Sequence, residues 1–325
     1  MLLFAGWIGA LAAETEGWVG GHVTTGLQVD QDQGVGTILS QVELDARAET
    51  SGVYFRLDLD YHFDPLFFSA DNSEYQLGPH YPLPPEVALV QFGDKYHLRA
   101  GVVNPNFGLQ GWDEKETYLP TYTYSFALTN GQILGIEPGI TFDDGTGLFV
   151  FGGYDMGFQV PDVGFGVSTE QDAFGTWSGV FWLPTEDYVL LLSANEVYPA
   201  DWLWLTLEID AGLASGGGIA GGELVASLWP ESIVGGALRV ERQMTDTKAQ
   251  AALTALEIPM APLTALSAGL RIDPASALHL ALEAKETLPD DGAANFTGTF
   301  LVTVMAPGEP GDDFAVHDAE DPAEE

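Results

Sequence analysis

Ten basic side chains stand against 48 acidic ones in 325 residues, a formal net charge of −38. The bases are placed with order. Arg47, Arg56, Arg99, Arg239, Arg271 and Lys285 fall on the polar side of segments in which every second residue is apolar. Glu43, Asp45, Asp58, Asp60, Glu208, Asp210, Glu241 and Glu283 share that side. Charges aligned in this way do ion chemistry: opposite signs around one water-filled space set up a field and sort the ions that cross it. The same residues also read as cross-strand pairs that satisfy and plug an interior. Covalent chemistry has little support. There is no Cys, and the six His (22, 62, 80, 97, 279 and 317) lack the spacing of a zinc site. Gly216-Gly217-Gly218 is not followed by the Lys-Ser/Thr of a phosphate loop. The pair Asp58 and Asp60 is the type that does acid–base work, but nothing else supports it. The sequence therefore predicts no enzyme, no metal and no cofactor.

Strands must position these charges. From Val53 to Asp64 the odd positions Val53, Phe55, Leu57, Leu59, Tyr61 and Phe63 are apolar, and the even ones, from Tyr54 and Arg56 to His62 and Asp64, are polar. Residues 41–49 alternate in the same way. Period two is the signature of a strand, so these segments form a hairpin with one greasy and one charged face. The rhythm recurs down the chain, in segments near the 9–11 residues that cross a bilayer as a strand. About 16 antiparallel strands are predicted between residues 17 and 305, with 14 to 18 allowed. The segment 248–258 counts among them, and 158–168 is read as a hairpin arm or part of a loop. An even number puts both ends on one side.

Charge decides which face meets what. Arg or Lys facing lipid at mid-bilayer costs about 2–4 kcal/mol, so the charged face must turn to a wet interior. Aromatics near strand ends, Tyr61, Phe63, Trp177, Trp182, Tyr188, Trp202, Trp204 and Trp229, are expected in girdles at the two interfaces. No run of about 18 apolar residues lies beyond the N-terminus, so membrane-spanning helices are excluded. The excess of acid excludes nucleic acid as a partner. Residues 1–12, uncharged and ending Ala10-Leu11-Ala12, read as a signal-peptide core without its basic flank. The barrel is assigned to 13–306, and 307–325 reads as a disordered acidic tail.

Connections alternate short and long through the first half, with 65–85 and 104–131 the longest. The strand Tyr96–Val103 leads into Asn104-Pro105-Asn106-Phe107-Gly108. This strand-to-loop segment, from Leu98-Arg99-Ala100-Gly101 onward, resembles that of bacterial outer-membrane porins. The resemblance implies a passive channel in the outer membrane for ions or small hydrophilic solutes. Its partners would be outer-membrane lipid, the barrel-assembly machinery, the permeating solutes and possible further copies of the chain. It also implies a loop that folds inward, with Asp113, Glu114, Lys115 and Glu116 at the constriction. Members usually end on an aromatic residue, whereas this chain continues past Phe300 and Met305. The pore-lining set is then Glu43, Asp45, Arg47, Arg56, Asp58, Asp60, Arg99, Arg239, Glu241, Arg271, Glu283 and Lys285, with modest cation preference. Two other readings fit the same residues: a structural or adhesive barrel with a closed interior, and a soluble carbohydrate-binding β-sandwich.

Overall fold

The computed structural model describes residues 16–306, apart from 32–33, 51, 63–65, 69–86, 94, 104–118, 120–127, 129–132, 157, 172, 231, 257–260 and 276. The strands are β1 (Glu16–Asp30), β2 (Gly34–Thr50), β3 (Val53–His62), β4 (Leu66–Phe68), β5 (Val87–Phe92) and β6 (Tyr96–Val103). There follow β7 (Ile133–Thr141), β8 (Gly147–Asp155), β9 (Val160–Gln171), β10 (Phe174–Leu183), β11 (Tyr188–Ala200) and β12 (Leu203–Ala214). The last are β13 (Gly217–Leu228), β14 (Val234–Thr245), β15 (Leu263–Ala275), β16 (Leu278–Pro289) and β17 (Asn295–Met305). A helix, α1 (Thr247–Ala255), sits between β14 and β15. It is not long or apolar enough to cross a membrane.

Apart from β4, each strand pairs antiparallel with the next, β3 with β5, and β17 returns to pair with β1, His22 opposite Met305 and Asp30 opposite Thr297. The short β4 pairs with β2 where β3 leaves off, so β3 and β4 fill one position in the wall. The result is a closed barrel of 16 strands. Closure leaves no free sheet edge and no second sheet, which removes the β-sandwich reading.

Burial is inverted relative to a soluble protein. Leu57, Leu59, Leu134, Ile136, Val150, Phe165, Ile209, Leu224, Leu238, Val240 and Leu270 are exposed on the outer surface, while the polar residues beside them are buried inside. Asp58, between Leu57 and Leu59, is 1% exposed. An outer band this apolar is stable only against hydrocarbon. Trp202 and Trp229 lie exposed at one rim with their rings 6.5 Å apart. Trp182 is exposed towards the other. Tyr188 departs from the expected girdle: it is fully buried on the inner face.

The two rims differ. One carries only tight connections, such as 93–95, 142–146, 201–202 and 229–233, together with Glu16 and Ala306. Gly52, at φ +74°, closes the β2–β3 turn there in a conformation that side chains other than glycine resist. The opposite, loop-bearing rim carries 63–86, 104–132 and 246–262. In the second half of the chain this rim carries one long connection, 246–262, beside short ones at 184–187, 215–216 and 290–294.

Two elements differ from expectation, and they cancel in the strand count. Where a strand over 248–258 was expected, residues 247–255 are helical: Asp246 caps α1, its carboxylate accepting from the backbone N–H groups of Lys248 and Ala249 at 2.9 Å each. Residues 160–171 form a full strand, β9, paired with β8 over 160–168 and with β10 over 163–171.

Candidate functional site

The inner face of the barrel is built in rows, because residues opposite one another on neighbouring strands point the same way. On β2 and β3 the rows are Glu43 with Asp60, Asp45 with Asp58, and Arg47 with Arg56. Like charges directly opposite repel, so relief must come along the strand or from the next one. Arg56 Nε donates to the Asp58 carboxylate, and His22 Nδ1 lies 3.5 Å from Glu43. The Arg47 guanidinium stands over the Trp18 ring at 5.5 Å. One oxygen each from buried Glu43, Asp45 and Asp58 falls within 4.8 Å of the others, an oxygen-only group able to hold a hard cation. Asp60 is in register, but its side chain lies outside the described residues.

Around the wall, Arg99 donates to Glu137 at 3.0 Å and to Gln91 at 2.8 Å. On the far side Arg239 donates to Glu283 at 3.0 Å and to Ser267 at 3.3 Å, all three residues buried. Glu241 and Lys285 are buried beside them. Arg271 is placed differently. It is half-buried at the tight-turn rim, donating to the Pro230 carbonyl and lying 2.8 Å from Asp273, which also meets His279 at 2.6 Å. It is set apart from the Arg239 group.

The sequence did not single out Glu137, Asp155, Asp162 or Glu223, all buried on the inner face. The alternation that marked the others was available: Glu137 lies between outward-facing Ile136 and Pro138, and Glu223 precedes outward Leu224. Counting the described residues, thirteen buried carboxylates face two buried bases, Arg239 and Lys285. The half-buried Arg47, Arg56, Arg99 and Arg271 do not close that gap.

The interior is also partly filled. Phe181, Leu183, Tyr188, Leu190, Leu192, Ala214 and Ile219 form an apolar cluster near the loop-bearing rim, with Ala249 and Leu253 of α1 packed into it. Alternation fails here because both faces of β11 are apolar, one turned to lipid and one to this cluster. Two described residues of the β6–β7 connection, Leu119 and Leu128, are buried inside the barrel. The Leu128 carbonyl accepts from the Tyr188 hydroxyl at 2.7 Å. Leu119, 2% exposed, packs with Val225 of β13 and Ala237 of β14. β14 lies halfway round the wall from β6, so the connection has reached the opposite side by Leu119. Residues 113–116, the constriction candidates, lie outside the described residues.

A closed, even-stranded antiparallel barrel with an apolar outer band and aromatic rims is the architecture of the bacterial outer membrane. The solved structures it is similar to share that setting. The outer membrane channel DcaP of Acinetobacter baumannii matches with a TM-score of 0.64 at 10% identity, over 91% of this chain and 98% of that one. An anion-selective porin from Comamonas acidovorans matches with a TM-score of 0.58 at 12% identity, over 90% and 100%. OmpT, an outer membrane protein of Vibrio cholerae seen as a trimer, matches with a TM-score of 0.58 at 9% identity, over 90% and 99%. At these identities the likeness is one of fold: the chain has the porin fold. No family model matches it, and no curated protein does.

Proposed function

We propose that the protein is a passive outer-membrane channel for ions or small hydrophilic solutes, with modest preference for cations. The observation that carries this reading is the inverted wall, apolar outside and carboxylate-rich inside, crossed by a connection anchored on its far side. The pore-lining residues are Glu43, Asp45, Arg47, Arg56, Asp58, Asp60, Arg99, Arg239, Glu241, Glu283 and Lys285, with Arg271 at one mouth. Range decides the sign of selectivity. At about 0.15 M salt the Debye length is roughly 8 Å, so an ion in the narrows responds to the nearest wall groups rather than to the charge of the whole chain. Those groups are mainly acids. The porin-like fold favours transport over catalysis, and a trimer like that of Vibrio cholerae OmpT is compatible with it.

The apolar cluster and α1 favour a second reading, a structural barrel with a closed interior. Planar-bilayer recording separates the two. The channel reading expects discrete conductance steps, a reversal potential on the cation side, and a shift toward anions in the Asp58→Asn, Asp60→Asn double variant. Folded protein that gives no steps is a closed barrel. A wild type already anion-selective would show that the arginines set the field.

A further inference from the structure

Two tryptophans expected in the outer girdles, Trp177 and Trp204, turn inward instead. Trp177 of β10 stands in one row with Ala194 and Glu208, both buried inside the barrel. Trp204 of β12 is in register with buried Ser227. Tyr198 of β11 belongs to the same face. Its hydroxyl donates to the buried Glu196 carboxylate at 2.8 Å, and its ring meets the Trp204 ring edge-on, 5.2 Å between centroids. Glu196 stands between Gly175 and Thr206 in the row that separates Trp177 from Tyr198 and Trp204. The three rings are half-buried. As inner-face residues they can be exposed only to the lumen, near the mouth at the tight-turn rim.

Gly175 makes this arrangement possible. A Cβ there would lie 2.6 Å from the tip of the Trp177 ring and 3.3 Å from the Tyr198 hydroxyl, so ring and hydroxyl both close over a position that only glycine leaves open. Glu196 accepts on both oxygens, from Tyr198 and, at 2.9 Å, from the Thr206 hydroxyl. Both hydroxyls thus point their protons at the carboxylate. Among the described residues, the inner faces of β10, β11 and β12 carry no Lys, Arg, His, Asn or Gln. Arg239 is in the row of Glu196 but three strands away, bonded to Glu283 and Ser267.

Aromatic faces are the negative part of the ring quadrupole, and a carboxylate held among them adds to the attraction for positive charge. The rings also offer apolar surface, which a small hydrated metal ion cannot use and an alkylated cation can. We infer that Trp177, Tyr198, Trp204 and Glu196 form a lumen-side binding site for an organic cation, a protonated or quaternary alkylammonium. The rings meet its alkyl groups and Glu196 supplies the countercharge. Passage of such a solute rests on the channel reading; its binding does not, since the site lies at a mouth that a closed barrel would also present.

The test uses the full chain folded in a polyoxyethylene detergent, which carries neither ammonium nor sugar. Choline chloride, its uncharged carbon isostere and maltose are titrated separately at constant ionic strength, with binding read by NMR as saturation transfer to the ligand protons. Choline is expected to bind saturably, and the isostere at least about threefold more weakly. Trp204→Leu and Glu196→Gln should each weaken choline binding by at least about threefold. Trp204→Phe, which keeps a ring, should fall between Trp204→Leu and wild type, and Trp202→Leu, on the outer face, should change nothing. Trp177→Leu replaces either of the first two variants should it fail to fold. Planar-bilayer recording with choline as the only cation keeps the two readings apart. Binding without conduction upholds the site and removes the channel, and conduction without binding removes the site alone. Equal binding of choline and its isostere, a preference for maltose, or undiminished choline binding in the folded Trp204→Leu and Glu196→Gln variants overturns the inference.

Discussion

Leu119→Ala is the sharpest probe of the connection that crosses the barrel. The side chain packs with Val225 and Ala237 on the opposite wall. It also faces Gly269, where an added Cβ would lie 2.3 Å from Leu119 Cδ2. The wall is thus cut to the leucine, with small residues beneath it. Truncation to Ala removes about three methylene equivalents from a buried site, at roughly 0.8 kcal/mol each. A loss of about 2.4 kcal/mol shifts the docking equilibrium of this segment about fiftyfold, because each 1.4 kcal/mol is tenfold. The strands do not depend on this contact, so the barrel itself should melt at an unchanged temperature. Single-channel recording should then show larger and noisier openings than wild type. Ala237→Leu, which overfills the same socket, should act in the same direction. Folded Leu119→Ala with wild-type conductance and wild-type open-channel noise would refute the claim that this contact holds anything in the ion path.

Two further outcomes follow from other parts of the molecule. Leu57→Arg puts a guanidinium on the lipid face and should lower barrel stability by about 2–4 kcal/mol near the midplane, whereas Asp58→Asn, turned inward, should assemble nearly as well as wild type, as read by urea titration in lipid vesicles. Asp246 caps α1, and hydrogen bonds from the backbone N–H groups of Ala249, Gly218 and Lys248 hold its carboxyl below the ordinary value of 3.8. Its contribution is complete above that value and is lost as pH falls through the lowered one. Hydrogen exchange at residues 247–255 should therefore quicken in that acid range while the strands stay protected, and Asp246→Ala should show the quickening already at neutral pH.

What the sequence made legible follows from which solvent each face meets. Leu57, Asp58 and Leu59 could be assigned because lipid and the lumen make opposite demands on neighbouring residues, and the chain records both as period two. The same logic located Arg239, Glu241, Glu283 and Lys285. It fails where the two faces want the same thing. Tyr188, Leu190 and Leu192 face inward yet meet an apolar cluster, so β11 reads as apolar on both sides, and Tyr188 is indistinguishable from a girdle residue. Glu223 sits among Gly221, Gly222 and Leu224, a stretch whose glycines hide the rhythm although the glutamate is placed by it. Arg271 shows a third limit. Alternation gives the face and not the height along the strand, and height separates an arginine at the mouth from one in the interior.

The helix α1 and the strand β9 show how a correct strand count can rest on two compensating misreadings. Residues 247–255 contain Lys248, Ala249, Gln250, Ala251, Ala252 and Leu253, strong helix formers behind an Asp cap, and no β-branched residue between Thr247 and Thr254. Their local preference is helical, and Ala249 and Leu253, four residues apart, are its two buried side chains. Val160–Gln171, by contrast, carries Pro161 and two glycines, which weaken a strand in isolation. It forms because β8 and β10 supply hydrogen-bonding partners on both sides, so tertiary pairing overrides local preference. Parity constrains the result. A closed antiparallel barrel with both ends of the wall at one rim needs an even number of strands, so removing 248–258 alone would leave an odd number. Once α1 is recognised by its cap and composition, the wall requires another strand, and 160–171 is the remaining stretch with outward Val163 and Phe165 alternating against inward Asp162.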